Sequence, residues 1–394
     1  MRILVAMTSW LSFVSFLIAC LEIYYRRFSR FYFLMVFMFV VTLSLATRIS
    51  AETTLEIQST IPLASEDLKG LRSFVTDVES LTGGDLKFKI LPVGKVVSVG
   101  DTLKAVDEGV IDGAFGRTHF WSYKHPAAML FGSPISGAGV GIDNIAFFSW
   151  FYNGGGNKLY QRLWEEMNLN IKGFIMLASG PETLGWFQNP IASVKDFKEM
   201  KFRTPSGIVG QTYKSMGIKS VSMRAGDIMR ELEKGRIDSV FWCCPKSDLN
   251  FGIQRLLKHY YLQGSHHAIM NSDLYLNGEV FDKLSAKQKK AIEVSAQASI
   301  IKHLAYLIFE NGKALRELKE SYDVTTHDTP REYYNELLEY ANLAFEQKAR
   351  DNDFFAEVWQ SQKDFANIAV PFWSQSQISN SLLGTSYLDI ISGE

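Results

Sequence analysis

The stretch Lys201-Phe202-Arg203-Thr204-Pro205-Ser206-Gly207 holds the residue with the most definite chemistry in the chain. Phe202 and its neighbours read as the end of a strand, and Pro205-Ser206-Gly207 opens a helix that carries Tyr213 and ends near Gly217. An arginine at the carboxyl end of a strand, beside a helix N-terminus, is a ready receptor for a carboxylate. The guanidinium fork offers two charge-assisted bonds, and the helix end adds N–H groups and partial positive charge. Ligands of open α/β sheets bind at such strand ends. The same residues also fit a surface arginine paired with Asp196 or Glu199, and the sequence leaves the two readings level.

Other segments carry less. Phe241-Trp242-Cys243-Cys244-Pro245 and Gly116-Arg117-Thr118-His119-Phe120-Trp121-Ser122-Tyr123 place aromatic rings at strand ends, where they either wall a pocket or pack the lobes. The adjacent thiols hint at redox or soft-metal chemistry, but no second Cys-x-x-Cys supports it, and neighbouring cysteines rarely bridge because the ring is strained. Gly154-Gly155-Gly156-Asn157 lacks both phosphate-loop spacings and reads as a turn. His266-His267 does not present two ligands on one helix face. With no G-x-S-x-G, H-E-x-x-H or paired-carboxylate motif, no catalytic residues are assigned and no enzyme is expected.

What positions these residues is a unit that occurs twice. Asp101, Gly109, Ile111-Asp112 and Phe115 recur at the same spacing as Asp227, Gly235, Ile237-Asp238 and Phe241. In each copy an aspartate at the N-cap position opens a two-turn helix, glycine closes it, and a short apolar strand follows. Two such units imply two α/β lobes of similar build. Further strands are expected at 55–61, 86–91, 171–177, 184–187 and 219–223, with a helix over 66–81. From Ser285 the chain turns helical, over 286–320 and 330–370, and the Ser/Gln/Asn-rich tail beyond Pro371 is expected to fray.

The chain has 394 residues, 41 Lys+Arg against 42 Asp+Glu, and 47% hydrophobic content. That balance excludes a polyphosphate-binding surface, so no nucleic acid is expected as partner, and it excludes wholesale disorder. Three cysteines make neither a disulfide framework nor a four-thiolate zinc site. The apolar excess sits at the front. Ile3–Leu21 and Phe31–Thr47 carry no charge, with Arg26, Arg27 and Arg30 between them. The basic group, the run Phe31–Ala46 and the small-residue site Ile49-Ser50-Ala51 have the parts of a secretory signal. Two membrane spans, or lipid attachment at Cys20, are the alternative readings. All three export residues 52–394.

Together these residues resemble the extracytoplasmic solute receptors of TRAP (tripartite ATP-independent periplasmic) transporters, in the branch that includes 2-oxo acid receptors. The resemblance runs from about Leu55 to Asp282. It rests on the strand ending at Pro62, Thr82-Gly83-Gly84, Glu108-Gly109-Val110-Ile111-Asp112-Gly113, Trp121 with Lys124-His125-Pro126, Tyr152-Asn153-Gly154-Gly155-Gly156, Gly185-Trp186-Phe187, and the Arg203 and Phe241-Trp242 segments. It implies an α/β, two-lobed periplasmic-binding-protein-like fold with discontinuous lobes and long C-terminal helices. The expected division is 1–51 for export, 52–176 completed by 265–315 for lobe one, 177–264 for lobe two, and 316–394 for C-terminal helices and tail.

The resemblance also implies function: capture of a small organic acid in the interlobe cleft and delivery to TRAP permease subunits, in the periplasm. A membrane-tethered sensory or orphan receptor and, third, an exported enzyme are the alternatives; a homodimer is left open. The family's carboxylate-binding arginine falls on Arg203, with Trp121, Phe241 and Trp242 as pocket walls. Three positions depart from the family pattern. Phe241 stands where an acidic residue usually precedes the tryptophan and helps coordinate a metal, so no metal and no cofactor is carried over. Glu182 stands where glutamine is common, either pairing with Arg203 or receiving a ligand donor. His266-His267 replace a common Trp-Glu, which places His267 among the substrate-binding candidates.

Overall fold

The computed structural model describes residues 52–392 except Pro205 and Ser206, together with positions 15, 16, 19, 22, 24, 25, 35 and 38. Apart from positions 35 and 38, the proposed signal run, its cleavage site and Cys20 lie outside the described residues. Met1–Glu52 and Thr53–Glu394 are separate compact units, and the second is described here. Among the described residues no helix is long and apolar enough to cross a membrane.

Eleven strands are described in this unit. The first four are β1 (Thr53–Ser59), β2 (Leu86–Leu91), β3 (Gly113–Gly116) and β4 (Ile171–Ser179). Then come β5 (Gly185–Phe187), β6 (Lys201–Thr204), β7 (Lys219–Ser222) and β8 (Ser239–Val240). Last are β9 (His259–Tyr261), β10 (Met270–Asn277) and β11 (Thr325–His327). They form two sheets, ordered β2-β1-β3-β10-β4 and β11-β9-β5-β8-β6-β7. The first holds β1 parallel to β2 and β3, with β10 antiparallel to β3 and β4. The second repeats the arrangement: β6 is parallel to β7 and β8, while β5 is antiparallel to β8 and β9.

The duplicated unit explains that likeness. Its two copies end in β3 and β8, each flanked by one parallel and one antiparallel partner. The corner is fastened alike in both, since Asn277 donates its amide to the Asp112 carbonyl (2.9 Å) and Gln188 donates to that of Asp238 (2.9 Å). Gly109 (φ 69°) and Gly235 (φ 62°) take the left-handed conformation that ends each helix. Asp101 and Asp227 occupy the N-cap position, but their side chains do not cap. A 3-10 turn leads into each helix instead, leaving Asp101 to accept from Ser98 Oγ (2.6 Å) and Asp227 to pair with Arg230.

Helix Glu66–Thr82 forms where its pattern demands it. Ser65 accepts from the Asp67 amide, Gly83 closes the helix at φ 73°, and Leu68, Leu71, Phe74 and Val78 are buried at three- and four-residue spacing against the first sheet. Helix Ala286–Tyr322 is the long strut. Its 37 residues span about 55 Å and are opened by the Ser285/Gln288 capping box. Ile292 and Ala296 enter the first sheet's core, and Leu318 enters that of the second. Helices Arg331–Asp351 and Asp353–Ser392 follow. The second runs through Pro371 rather than fraying there, although proline removes one helix hydrogen bond and crowds the carbonyl four residues back.

The chain passes between the sheets at residues 180–184, at 262–269 and along the strut helix. The first two passages are stitched together, with Glu182 donating its amide to the His267 carbonyl at 3.0 Å. Gly264 allows the approach: a Cβ there would lie 2.3 Å from the Glu182 carbonyl oxygen.

Candidate functional site

Arg203 sits on β6 between Val221 of β7 and Val240 of β8. Flanked on both sides, it is only 7% exposed. Neither surface partner claims it: Asp196 caps Ser193 and Ala192, and Glu199 pairs with Lys219. Its guanidinium donates from Nη1 to the Phe241 carbonyl (3.2 Å) and from Nη2 to that of Met223 (3.3 Å), and it lies 5.8 Å from the Trp242 ring centre. Nε is buried without a partner among the described residues. Burial lowers the pKa of Arg203 while Glu182 opposes that shift, and the guanidinium stays charged. Pro205 and Ser206 are not described, but Gly207 (φ 99°) precedes helix Ile208–Ser215.

Glu182, on the first passage, is 5% exposed, and its Oε2 faces His266 Nε2 at 3.8 Å and His267 Nε2 at 4.0 Å. Burial pushes its carboxyl up to about 8; Asp248 and Asp67 add to this, and Arg117 and Arg203 oppose it. Around neutral pH Glu182 is therefore a protonated donor, not the partner of Arg203. Burial, with Arg117, lowers His267 to about 4, and burial, with His267, takes His266 well below its usual range. Both imidazoles are neutral. Ser133 Oγ donates to the Ile269 carbonyl (2.9 Å) and so accepts from His267 Nδ1 (2.5 Å), which leaves His267 Nε2 an acceptor facing Glu182. His266 Nδ1 meets Tyr213 OH (2.9 Å), itself 2.8 Å from Tyr333 OH.

Apolar walls close the set. Phe241 is 2% exposed, with its ring 4.1 Å from that of His266 and 5.8 Å from Phe202. Trp242 stacks on Phe251 (4.4 Å) and donates to Ser247 Oγ (3.0 Å). Arg203, Glu182, His267, Phe241 and Trp242 thus converge. Trp121 packs with Tyr275 (6.4 Å) and Tyr123 (6.5 Å) and is buried.

Sequence reasoning passed over Arg117. It follows β3 directly, and the repeat aligns it with Cys243, two residues beyond Phe115 and Phe241, without pointing to its partner Asp67. Its Nε and Nη2 donate to Asp67 Oδ2 (3.2 and 2.7 Å). Burial pushes Asp67 up, but Arg117 and His303 more than reverse this and hold its carboxyl well below the usual range. The repeat extends to the support beneath each loop. Asp273 accepts from the Thr118 amide (2.8 Å), Tyr160 OH (3.1 Å) and Tyr275 OH (3.2 Å). Asp248 accepts from the Cys243 and Cys244 amides (both 3.0 Å), and from Trp186 Nε1 and Tyr260 OH (both 2.8 Å). Burial raises each to about 6.

One charged fork with an unspent donor, ringed by neutral groups and shielded from water, is built to receive an anion. The family model for bacterial extracellular solute-binding protein, family 7 (DctP), matches residues 59–347. The chain belongs to that family. A monocarboxylate 2-oxoacid-binding periplasmic protein from Nostoc sp. is 25% identical over 300 residues, 75% of this receptor and 79% of the relative. A TRAP transporter solute binding protein from Bordetella bronchiseptica RB50, a dimer with copurified calcium and picolinate in one site and the other apo, superposes with TM-score 0.74 at 20% identity. That match covers 87% of this receptor and 99% of the Bordetella chain. A Colwellia psychrerythraea TRAP protein with bound calcium and pyruvate gives TM-score 0.72 at 22% identity, covering 86% and 99%. The two-sheet arrangement is thus the two-lobed α/β fold of these receptors, and the family places the protein outside the cytoplasm.

Calcium does not suit this site. It takes about 6–8 oxygen ligands, and here the Phe241 side chain offers none, the two neighbouring imidazoles present nitrogen, and Glu182 is the one carboxyl that faces them. Among the described residues no group of three or more His, Cys, Asp or Glu is arranged to hold a metal.

Proposed function

We propose that this chain is the solute receptor of a TRAP transporter, capturing a small monocarboxylate between its lobes and delivering it to the membrane permease. One observation carries the reading: the buried Arg203 fork keeps its Nε donor unspent beside the two stitched passages, 180–184 and 262–269. In this reading Arg203 binds the ligand carboxylate. The protonated Glu182 donates to a second oxygen on the ligand, and His267 Nε2 accepts from a ligand hydroxyl where there is one. Phe241 and Trp242 exclude water, and Trp121 backs the first lobe.

The Nostoc relative supports a 2-oxo acid as ligand, and the Bordetella and Colwellia proteins support small carboxylates more broadly. Binding without turnover is favoured because imidazoles held so far below their usual range are weak bases. The moving parts in this reading are lobe one (52–176 with 265–315) and lobe two (177–264), with 316–394 riding on them. A ligand that touches both lobes at once drives closure.

The test is a thermal-shift screen of pyruvate, longer 2-oxo acids, picolinate and pyroglutamate against the purified protein. Ligand linkage predicts a raised Tm for the true ligand class, by about 2.7 kcal/mol of added stability at a hundredfold excess over Kd. No shift with any carboxylate overturns the reading.

A further inference from the structure

The vicinal thiols are left unused by carboxylate capture. Cys243 and Cys244 have their Sγ atoms 2.7 Å apart. That is inside the separation of about 3.5–4.0 Å at which unbonded heavy atoms attract, and it approaches the ~2.05 Å of a bonded sulfur pair. Both amides are pinned to one oxygen of Asp248, so the backbone holds the two side chains in register. The two sulfurs are not equivalent. Cys244 lines a groove of about 610 Å³ with Pro181, Thr183, Leu262, Leu304 and Ile308. Cys243 lies toward Glu182 and Arg117, and its bond to Cys244, together with burial, pushes its thiol well above the usual range.

We infer that Cys243 and Cys244 are a reversible two-electron oxidation site, closed to a vicinal disulfide outside the cytoplasm by thiol–disulfide exchange. An extracytoplasmic location favours disulfides, and the strain of so small a ring makes this one labile instead of permanent. The reaction balances without a metal. The groove-facing Cys244 thiolate attacks a small disulfide, R–S–S–R, and releases the first thiolate. Cys243 then attacks the Cys244 sulfur and releases the second. The two electrons pass to the oxidant, and the two thiol protons leave on two R–SH. Closing the ring twists the peptide between the cysteines. The Cys243 carbonyl accepts from the Thr183 amide next to Glu182 (3.0 Å), and Asp248 links the same loop to Trp186. The redox state is thereby reported to the passage between lobes and to a buried indole.

The test needs no ligand, so it stands or falls separately from the carboxylate reading. Protein exported by its host is trapped with N-ethylmaleimide before any reductant, and the tryptic peptide 237–246 is weighed. The expected peptide carries no adduct and is two hydrogens lighter than the dithiol; after dithiothreitol it takes two adducts. Two adducts before reduction overturn the inference. With oxidised glutathione as probe, the Cys243→Ser variant should be modified at Cys244 at least about tenfold faster than Cys244→Ser is at Cys243; the reverse order overturns the assigned attack. Dithiothreitol should shift tryptophan emission in the wild type and not in the double serine variant. Unchanged emission while the disulfide is being reduced overturns the link to Asp248 and Trp186.

Discussion

Glu182 and His267 lie on different passages between the two sheets, yet the Glu182 amide donates to the His267 carbonyl at 3.0 Å and their side chains face each other at 4.0 Å. The segments that connect the lobes therefore also supply the groups facing Arg203's neighbourhood. Any movement between the lobes is felt where the ligand sits.

Replacing Arg203 by alanine should weaken carboxylate binding by at least about tenfold, since charge-assisted bonds contribute about 1.5–3 kcal/mol each. Lysine should restore only part of it, lacking the planar fork. Calorimetry with the carboxylate identified by thermal shift measures both. Equal affinity in wild type and alanine variant would remove Arg203 from the site.

Glu182 makes stability depend on pH in a defined direction. Its folded pKa, about 8, lies above the unfolded 4.5, so its contribution is complete below 4.5 and is lost as pH rises through 8. Thermal melts between pH 5 and 9 should fall more steeply in the wild type than in Glu182→Gln. Parallel slopes would show that the carboxyl is ionised at neutral pH.

Asp248→Ala should cost about 3 kcal/mol or more, because it strands four donors at once, two of them in fully buried bonds. Denaturant unfolding gives the number. A loss below about 1 kcal/mol would mean that water replaces the carboxylate.

Gly264→Ala drives a methyl into the backbone of Glu182, Thr183 and Leu184. The passages must part, so stability should drop by about 1–3 kcal/mol and carboxylate affinity should fall with it. An unaltered affinity would show that the stitch between the passages does not shape the site.

Removing metal should do nothing. With Phe241 among the walls and two imidazoles facing Glu182, titrations in EDTA and in added calcium are expected to give the same Kd. A calcium-dependent affinity would place an ion in the cleft after all.

How far the sequence reveals this site varies residue by residue. Arg203 is legible because a strand end followed by Pro205-Ser206-Gly207 is a local pattern. The twin lobes are legible because Asp101–Phe115 and Asp227–Phe241 repeat at fixed spacing. Glu182 is visible only through a family resemblance, since its surroundings come from residues 266–267. Arg117 needs Asp67 and the fold to bring them together. Trp121 shows the limit from another side: nothing local to an aromatic residue after a strand says that it will pack with Tyr275, as it does here. The buried carboxylates Asp248 and Asp273 gave no local signal, for their partners arrive from distant segments.

Those two carboxylates have one more consequence. Each fastens a site loop to its own lobe, through bonds made inside that lobe. Neither support uses the side chains at 182, 241, 266 or 267, so exchanging those side chains leaves both loop anchors in place.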